Sequence, residues 1–408
     1  MSDTVISKVD RIVFRTGFEH VDTRWTRIWR NAHPGAFEKA HMGSHDTYAV
    51  LRIEADTGHA GAWTGASFIL EQTWEDACKT AGCDLAGMLV GRNPLERESI
   101  WQSLVEAGIA SKVAGAIDVA LWDLAGHMLG TPCHQLAGQC RSRIPTYVTT
   151  PINFGTPEEY AAYAVACKDR GYQGYKIHPY WFYDPVAKKR DKNKRSSPDL
   201  DIEVCRVTRE AVGPDYPLML DSVWAYEFDD ALRVGKAIEE LGFLWYECPM
   251  LEQLPEHWEQ YARLKRELSI PLLAGENVLG SGAIFKRTRM LQLDACDTMR
   301  IDTEHSGITA CLKMAAICEA WPILLELHGD YYGNVTVLAA TNEQTCKYLE
   351  WWDLDPEQVT PSGFAKPETH LLNTLGTIDS DGYFAAPSRP GLGYTINWDF
   401  VYANRVGD

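Results

Sequence analysis

Residues 46–57 (DTYAVLRIEADT) alternate apolar and polar positions and run into Gly58, a pattern that predicts an antiparallel strand and a turn. Residues 74–89 and 94–130 carry helical periodicity, the second stretch broken near Gly108 and again near Gly115. Its last part, AIDVALWDLAGHMLG, stops at Gly130 with Pro132 just beyond, where a helix ends. Strands first and helices afterwards predict an α+β module for residues 1–140.

From Ile144 the rhythm changes. The short apolar runs IPTYVTT, GYKIH, PLMLD, LWYEC, PLLAGE, TMRID, ILLELH and KYLEW are separated by helical stretches such as PEEYAAYAVACKDRG and FDDALRVGKAIEELG. Strict alternation of this kind implies a parallel sheet. Eight strands in about 210 residues fit a closed (β/α)8 TIM-type barrel over residues 141–355 better than an open sheet. Residues 356–408, rich in Pro and Gly, add no βα unit and are expected to fold back on the first module.

The composition then excludes several classes. Of 408 residues, 39 are Lys or Arg and 56 Asp or Glu, and the net charge of -17 would repel nucleic acid. The apolar stretch 308–327 is interrupted by Lys313, Glu319, Pro322 and Glu326, so no membrane span is expected. The start, MSDTVISKVDRIVF, lacks a secretory pattern, and the eleven cysteines are scattered with no Cys-x-x-Cys pair. Both point to a cytoplasmic protein with reduced thiols. Residues 184–200 form a basic, polar insertion after the second barrel strand, expected at the solvated surface.

The chemistry sits at the strand ends, where barrel active sites are built. Lys176, His178, Asp221, Glu247, Glu276, Asp302, His328 and Glu350 all fall there. The steps from Asp221 through Glu247, Glu276 and Asp302 to His328 are 26, 29, 26 and 26 residues, about one βα unit each. Three converging carboxylates repel unless a cation holds them. Asp221, Glu247 and Glu276 offer only oxygen donors, which favours a hard ion, Mg²⁺, over zinc.

With these residues in place, the sequence resembles the enolase superfamily, in its mandelate racemase-like branch. AIDVALWDLAGHMLGTP is similar to the signature where that family's capping domain meets the barrel. LMLD, WYECP and AGE resemble its metal strands, and MRID with LELHG its His–Asp dyad. The resemblance implies that Asp221, Glu247 and Glu276 bind Mg²⁺, and that His328 is a general base or acid oriented by Asp302. It further implies that Glu350 hydrogen-bonds the substrate carboxylate and that Lys176 is the first lysine of the Lys-x-Lys motif. It makes residues 1–140 a capping domain that sets specificity, completed by residues 356–408, and suggests a homo-oligomer. Two departures stand out: His178 replaces the second lysine, and Val223 stands where many relatives have Asn.

Such a site abstracts the proton next to a carboxylate and stabilises an enediolate with Mg²⁺. Without a second-strand lysine base, the expected outcome is dehydration of an acid sugar to a 2-keto-3-deoxy acid. Racemisation or epimerisation and cycloisomerisation of a related hydroxycarboxylate remain open. Arg24, Trp25, His33 and His45 in the polar, aromatic segment 15–46 are candidate substrate contacts, as are Trp224 and Tyr331. His305 receives no role. A glycoside hydrolase would need only two carboxyl groups, and a non-catalytic acid-sugar binder would not need an intact dyad. No Gly-x-Ser-x-Gly elbow, Gly-x-x-x-x-Gly-Lys loop or Gly-x-Gly-x-x-Gly turn supports another chemistry.

Overall fold

A computed structural model describes residues 4–15, 47–184, 189–190, 195–329, 331–352, 370–373 and 378–407. The lid candidates Arg24, Trp25, His33 and His45 lie outside the described residues, as does much of the 184–200 insertion.

The N-terminal sheet has strands β1 (Ile6–Arg15), β2 (Thr47–Ala55) and β3 (Ala60–Ala66), all antiparallel, in the order β1-β2-β3. The expected helix over 74–89 is two helices, Trp74–Ala81 and Leu85–Leu89, because Gly82 ends the first and the Asp84 side chain caps the second. The expected break at Gly108 is present, but Gly115 lies inside one helix, Ser111–Leu129. Its role is close approach: a Cβ there would stand 2.8 Å from the Gly307 nitrogen and 3.0 Å from the Ser306 carbonyl carbon. That helix joins the two halves. Asp118 accepts from the Thr309 amide at 2.8 Å, and Asp123 accepts from Ala62 at 2.9 Å and Leu392 at 2.8 Å.

The eight apolar runs form β4 (Arg143–Thr149), β5 (Tyr175–Ile177), β6 (Leu218–Asp221), β7 (Trp245–Glu247), β8 (Leu272–Ala274), β9 (Thr298–Ile301), β10 (Leu324–Leu327) and β11 (Leu349–Trp351). All pair in parallel, and β11 pairs back onto β4, closing the barrel. Alternation along each strand sends every second side chain inward. The lower interior is an apolar plug of Tyr147, Met219, Trp245, Leu273 and Tyr348. Two residues further along β6, β7 and β11 stand Asp221, Glu247 and Glu350, so the same alternation that packs the plug aims the acids at the mouth.

The C-terminal segment touches both halves. Tyr383–Ala385 pairs antiparallel with β4, while the helix Trp398–Ala403 returns to the N-terminal sheet, where the Arg15 amide donates to the Asn404 carbonyl at 2.9 Å. No helix of the described residues is long and apolar enough to cross a membrane.

Candidate active site

At the mouth, two fully buried cations hold the acids. Lys176 Nζ lies 2.7 Å from Glu350 Oε1, 2.9 Å from Glu247 Oε2 and 3.6 Å from Asp221 Oδ2. Arg300 Nη2 donates to Glu350 Oε2 at 2.5 Å, and its Nε stands 2.9 Å from Glu247 Oε1 and 3.9 Å from Glu276 Oε2. Its Nη1 also donates to the Tyr147 hydroxyl in the plug at 3.2 Å. Burial disfavours both cations, yet Glu247 and Glu350 hold them well above their ordinary pKa values. In return, Lys176 and Arg300 overcome burial at Glu350 and keep it ionised, well below the usual carboxylate range.

Glu276 reaches this group against the alternation. Leu273 faces the interior, so Glu276, three residues on, would face away in a continued strand. Gly275 at φ +110° turns the chain, and a Cβ there would meet Met299 Sδ at 2.6 Å.

The donors suit a hard divalent cation. Asp221, Glu247 and Cys248 each offer an atom within 4.8 Å of the others, and the Cys248 thiol is pushed well up by burial, which leaves the carboxylates as the ligating chemistry. Glu276 stands outside that group, facing Arg300 and His328. Burial works against ionised Asp221, but His178 first and then Lys176 bring its pKa down to about 2. Four carboxylates against Lys176 and Arg300 leave an excess of negative charge for a cation to neutralise.

The histidines meet different surroundings. His178 is fastened on both sides: its Nδ1 faces the Thr150 carbonyl and its Nε2 is 3.0 Å from Asp221 Oδ2, while its ring stacks on Trp352 at 6.0 Å and 16°. His328 is one-fifth exposed, with Nδ1 3.6 Å from Asp302 Oδ2 and Nε2 3.9 Å from Glu276 Oε1. Burial lowers its pKa, but the nearby Glu276 and then Asp302 carboxylates outweigh it and raise the value to about 9. Asp302 is held well below the usual carboxylate range despite its burial, chiefly by His305 and then by His328.

Of the two substrate-contact candidates described, Tyr331 sets its ring 6.1 Å from that of His328. Trp224 is half-buried, with a left-handed backbone (φ +57°) and its amide on the Cys248 carbonyl at 2.8 Å. Arg300, Cys248 and Trp352 join the site without having been singled out, and His305, given no role from the sequence, joins it as well. For Arg300 the signal was present, since it lies on β9 two residues before Asp302, which directly follows that strand.

Residues 159–400 match the family described as enolase C-terminal domain-like, and residues 25–138 match the mandelate racemase / muconate lactonizing enzyme N-terminal domain. The chain is 30% identical to D-glucarate dehydratase from Agrobacterium tumefaciens, solved in complex with magnesium, with a TM-score of 0.79 and 99% of each chain covered. It is 28% identical to 3,6-anhydro-alpha-L-galactonate cycloisomerase of Streptomyces coelicolor, covering 94% of this chain and 98% of the relative. It is also 28% identical to D-galactonate dehydratase of Ralstonia nicotianae, covering 86% and 89%.

Proposed function

Since the chain belongs to the mandelate racemase / muconate lactonizing enzyme branch of the enolase superfamily, we propose that it is a hydro-lyase acting on a small aldonic or aldaric acid. It removes the proton next to the carboxylate and expels the β-hydroxyl as water, leaving a 2-keto-3-deoxy acid. The observation that carries this is the partly exposed imidazole of His328, backed by Asp302 and set beside a rim of carboxylates that two buried cations hold.

In this proposal Asp221, Glu247 and Glu276 hold Mg²⁺, which supplies positive charge for the enediolate oxygens. The relative solved with magnesium supports that choice. With Mg²⁺ on Glu276 offsetting the carboxylate that raises the His328 pKa, the neutral ring takes the α-proton on Nε2 while Asp302 faces its Nδ1 side and steadies the imidazolium that forms. Lys176 and Glu350 meet the substrate carboxylate, and Arg300 keeps Glu350 and Glu247 in place. A base contributes about 10²–10⁴-fold, roughly 3–5 kcal/mol, where enzymes as a class supply about 8–23 kcal/mol. The charges around the carboxylate therefore carry the larger share.

Racemisation needs a proton donor on each face of the α-carbon, and both ring nitrogens of His178 are already engaged. Cycloisomerisation shares the first step and differs only in expelling an internal ring oxygen. The Streptomyces coelicolor relative supports keeping it as the second outcome. The proposal also places the protein in the cytoplasm, consistent with eleven free thiols, and as a homo-oligomer, for which exposed Phe285 and Leu254 offer apolar surface.

The test is a panel of aldonic and aldaric acids with Mg²⁺, scored for 2-keto acid as the semicarbazone. One acid should turn over and stop on addition of EDTA. Turnover that survives EDTA, or a panel giving only isomers of the acids supplied, would refute it.

A further inference from the structure

Expulsion of a hydroxyl needs a proton at the leaving oxygen, and the structure holds a second imidazole beside the first. His305 Nδ1 lies 2.8 Å from Asp302 Oδ2, nearer than His328 at 3.6 Å to the same oxygen. The two rings stand parallel, 11° apart with centroids separated by 6.2 Å. With both Nδ1 atoms turned to one carboxylate oxygen, both Nε2 atoms are the outer ends. Among the described residues, His305 Nε2 has no hydrogen-bond partner, and the side chain is 16% exposed.

The backbone keeps His305 in place. It sits in the single turn Thr303–Ser306, capped by Asp302, whose Oδ1 accepts from the His305 amide at 2.6 Å. The N-terminal sheet closes over that turn: a Cβ on Gly65 would stand 2.8 Å from Glu304 Oε1. Asp302 thus positions two imidazoles, one beside Glu276 and one at the seam with the N-terminal domain.

We propose that His305 is the acid that protonates the departing β-hydroxyl, while His328 is the base that takes the α-proton. This rests on the dehydratase function proposed above. The α-C–H bond breaks, its proton goes to His328, and its electron pair enters the enediolate. That pair then forms the C2=C3 bond as the C3–O bond breaks, and the oxygen leaves as water with the His305 proton. The enol tautomerises to the 2-keto acid. His328 returns its proton to solvent and His305 regains one, so protons balance without an oxidant or reductant.

The experiment compares wild type, His305→Gln and His305→Asn with Mg²⁺ in D₂O, on the acid that wild type dehydrates and on its 3-deoxy-3-fluoro analogue. Fluoride leaves without a proton. Both variants should lose dehydration by about 10²–10⁴-fold. They should still eliminate fluoride within a few-fold of wild type, and deuterium should build up at the α-carbon of unreacted substrate. The Asp302 cap binds the residue-305 amide and is retained in both variants, and fluoride elimination itself reports an intact fold. Equal loss of fluoride elimination and dehydration would overturn the proposal, leaving His305 a positioning residue for Asp302, as would dehydration at the wild-type rate. Failure of wild type to form any keto acid would instead refute the dehydratase function, and this proposal with it.

Discussion

His178 just past β5 and His328 just past β10 are both imidazoles at the barrel mouth, but their ring nitrogens meet different surroundings. His178 is sealed between the Thr150 carbonyl and the Asp221 carboxylate and stacked on Trp352. His328 has one nitrogen turned toward Asp302 and the other toward Glu276, at distances too long for firm hydrogen bonds, with part of the ring exposed. A ring whose two nitrogens are both bound has no free position for a substrate proton. In the proposed reaction the same residue type thus serves two ends: His178 orients Asp221, a proposed metal ligand, and His328 is left open for proton transfer.

Substitutions can break this contrast. The largest effect is expected for His328→Asn, which should cut keto-acid formation by about 10²–10⁴-fold and abolish α-deuterium exchange in NMR. Glu247→Gln should come next, because it takes the shared carboxylate from between Lys176 and Arg300. Urea unfolding should show a loss of about 3–5 kcal/mol, and Mg²⁺ should no longer raise Tm.

His178→Asn should act through Asp221. Mg²⁺ titration is expected to show affinity weakened by about 10–100-fold, with exchange at saturating Mg²⁺ close to wild type. If it instead abolished exchange as fully as His328→Asn, the two histidines would be equivalent and the contrast would fail.

The smallest effect concerns stability alone. Glu326, in register with Arg300 on the neighbouring strand, is raised to about pKa 8 by burial, with Glu247 and Glu350 adding to the shift and Arg300 opposing it. A carboxyl raised on folding favours the native state only while protonated. Its ionisation therefore removes stability progressively from about pH 4.5 to about pH 8, where the loss levels off at a few kcal/mol. Glu326→Gln should show a stability advantage that grows over that window and then stays constant. An advantage independent of pH would contradict the assignment.

Much of this was legible in the chain. The eight strands stood out because runs such as PLMLD and LWYEC are short, apolar and bounded, and their last acids share the inward face with the plug residues below them. What stayed hidden lies where the backbone leaves the regular path. Gly115 looked like a break, since nothing local shows that Ser306 and Gly307 press against it. Gly275 and Cys248, at φ +110° and +41°, turn Glu276 and the thiol away from simple alternation. His305 gained its place from a cap formed by Asp302 three residues earlier, a contact that periodicity does not reveal.

The central claim is a single committed base, and proton NMR in D₂O tests it most directly, with Mg²⁺ and the acid that turns over. Wild type and His178→Asn should both yield the C3 methylene signals of a 2-keto-3-deoxy acid, and His328→Asn should leave both the α-proton and the substrate untouched. An α-proton lost with return of the inverted acid, dependent on His178, would contradict the account and make this chain a two-base epimerase.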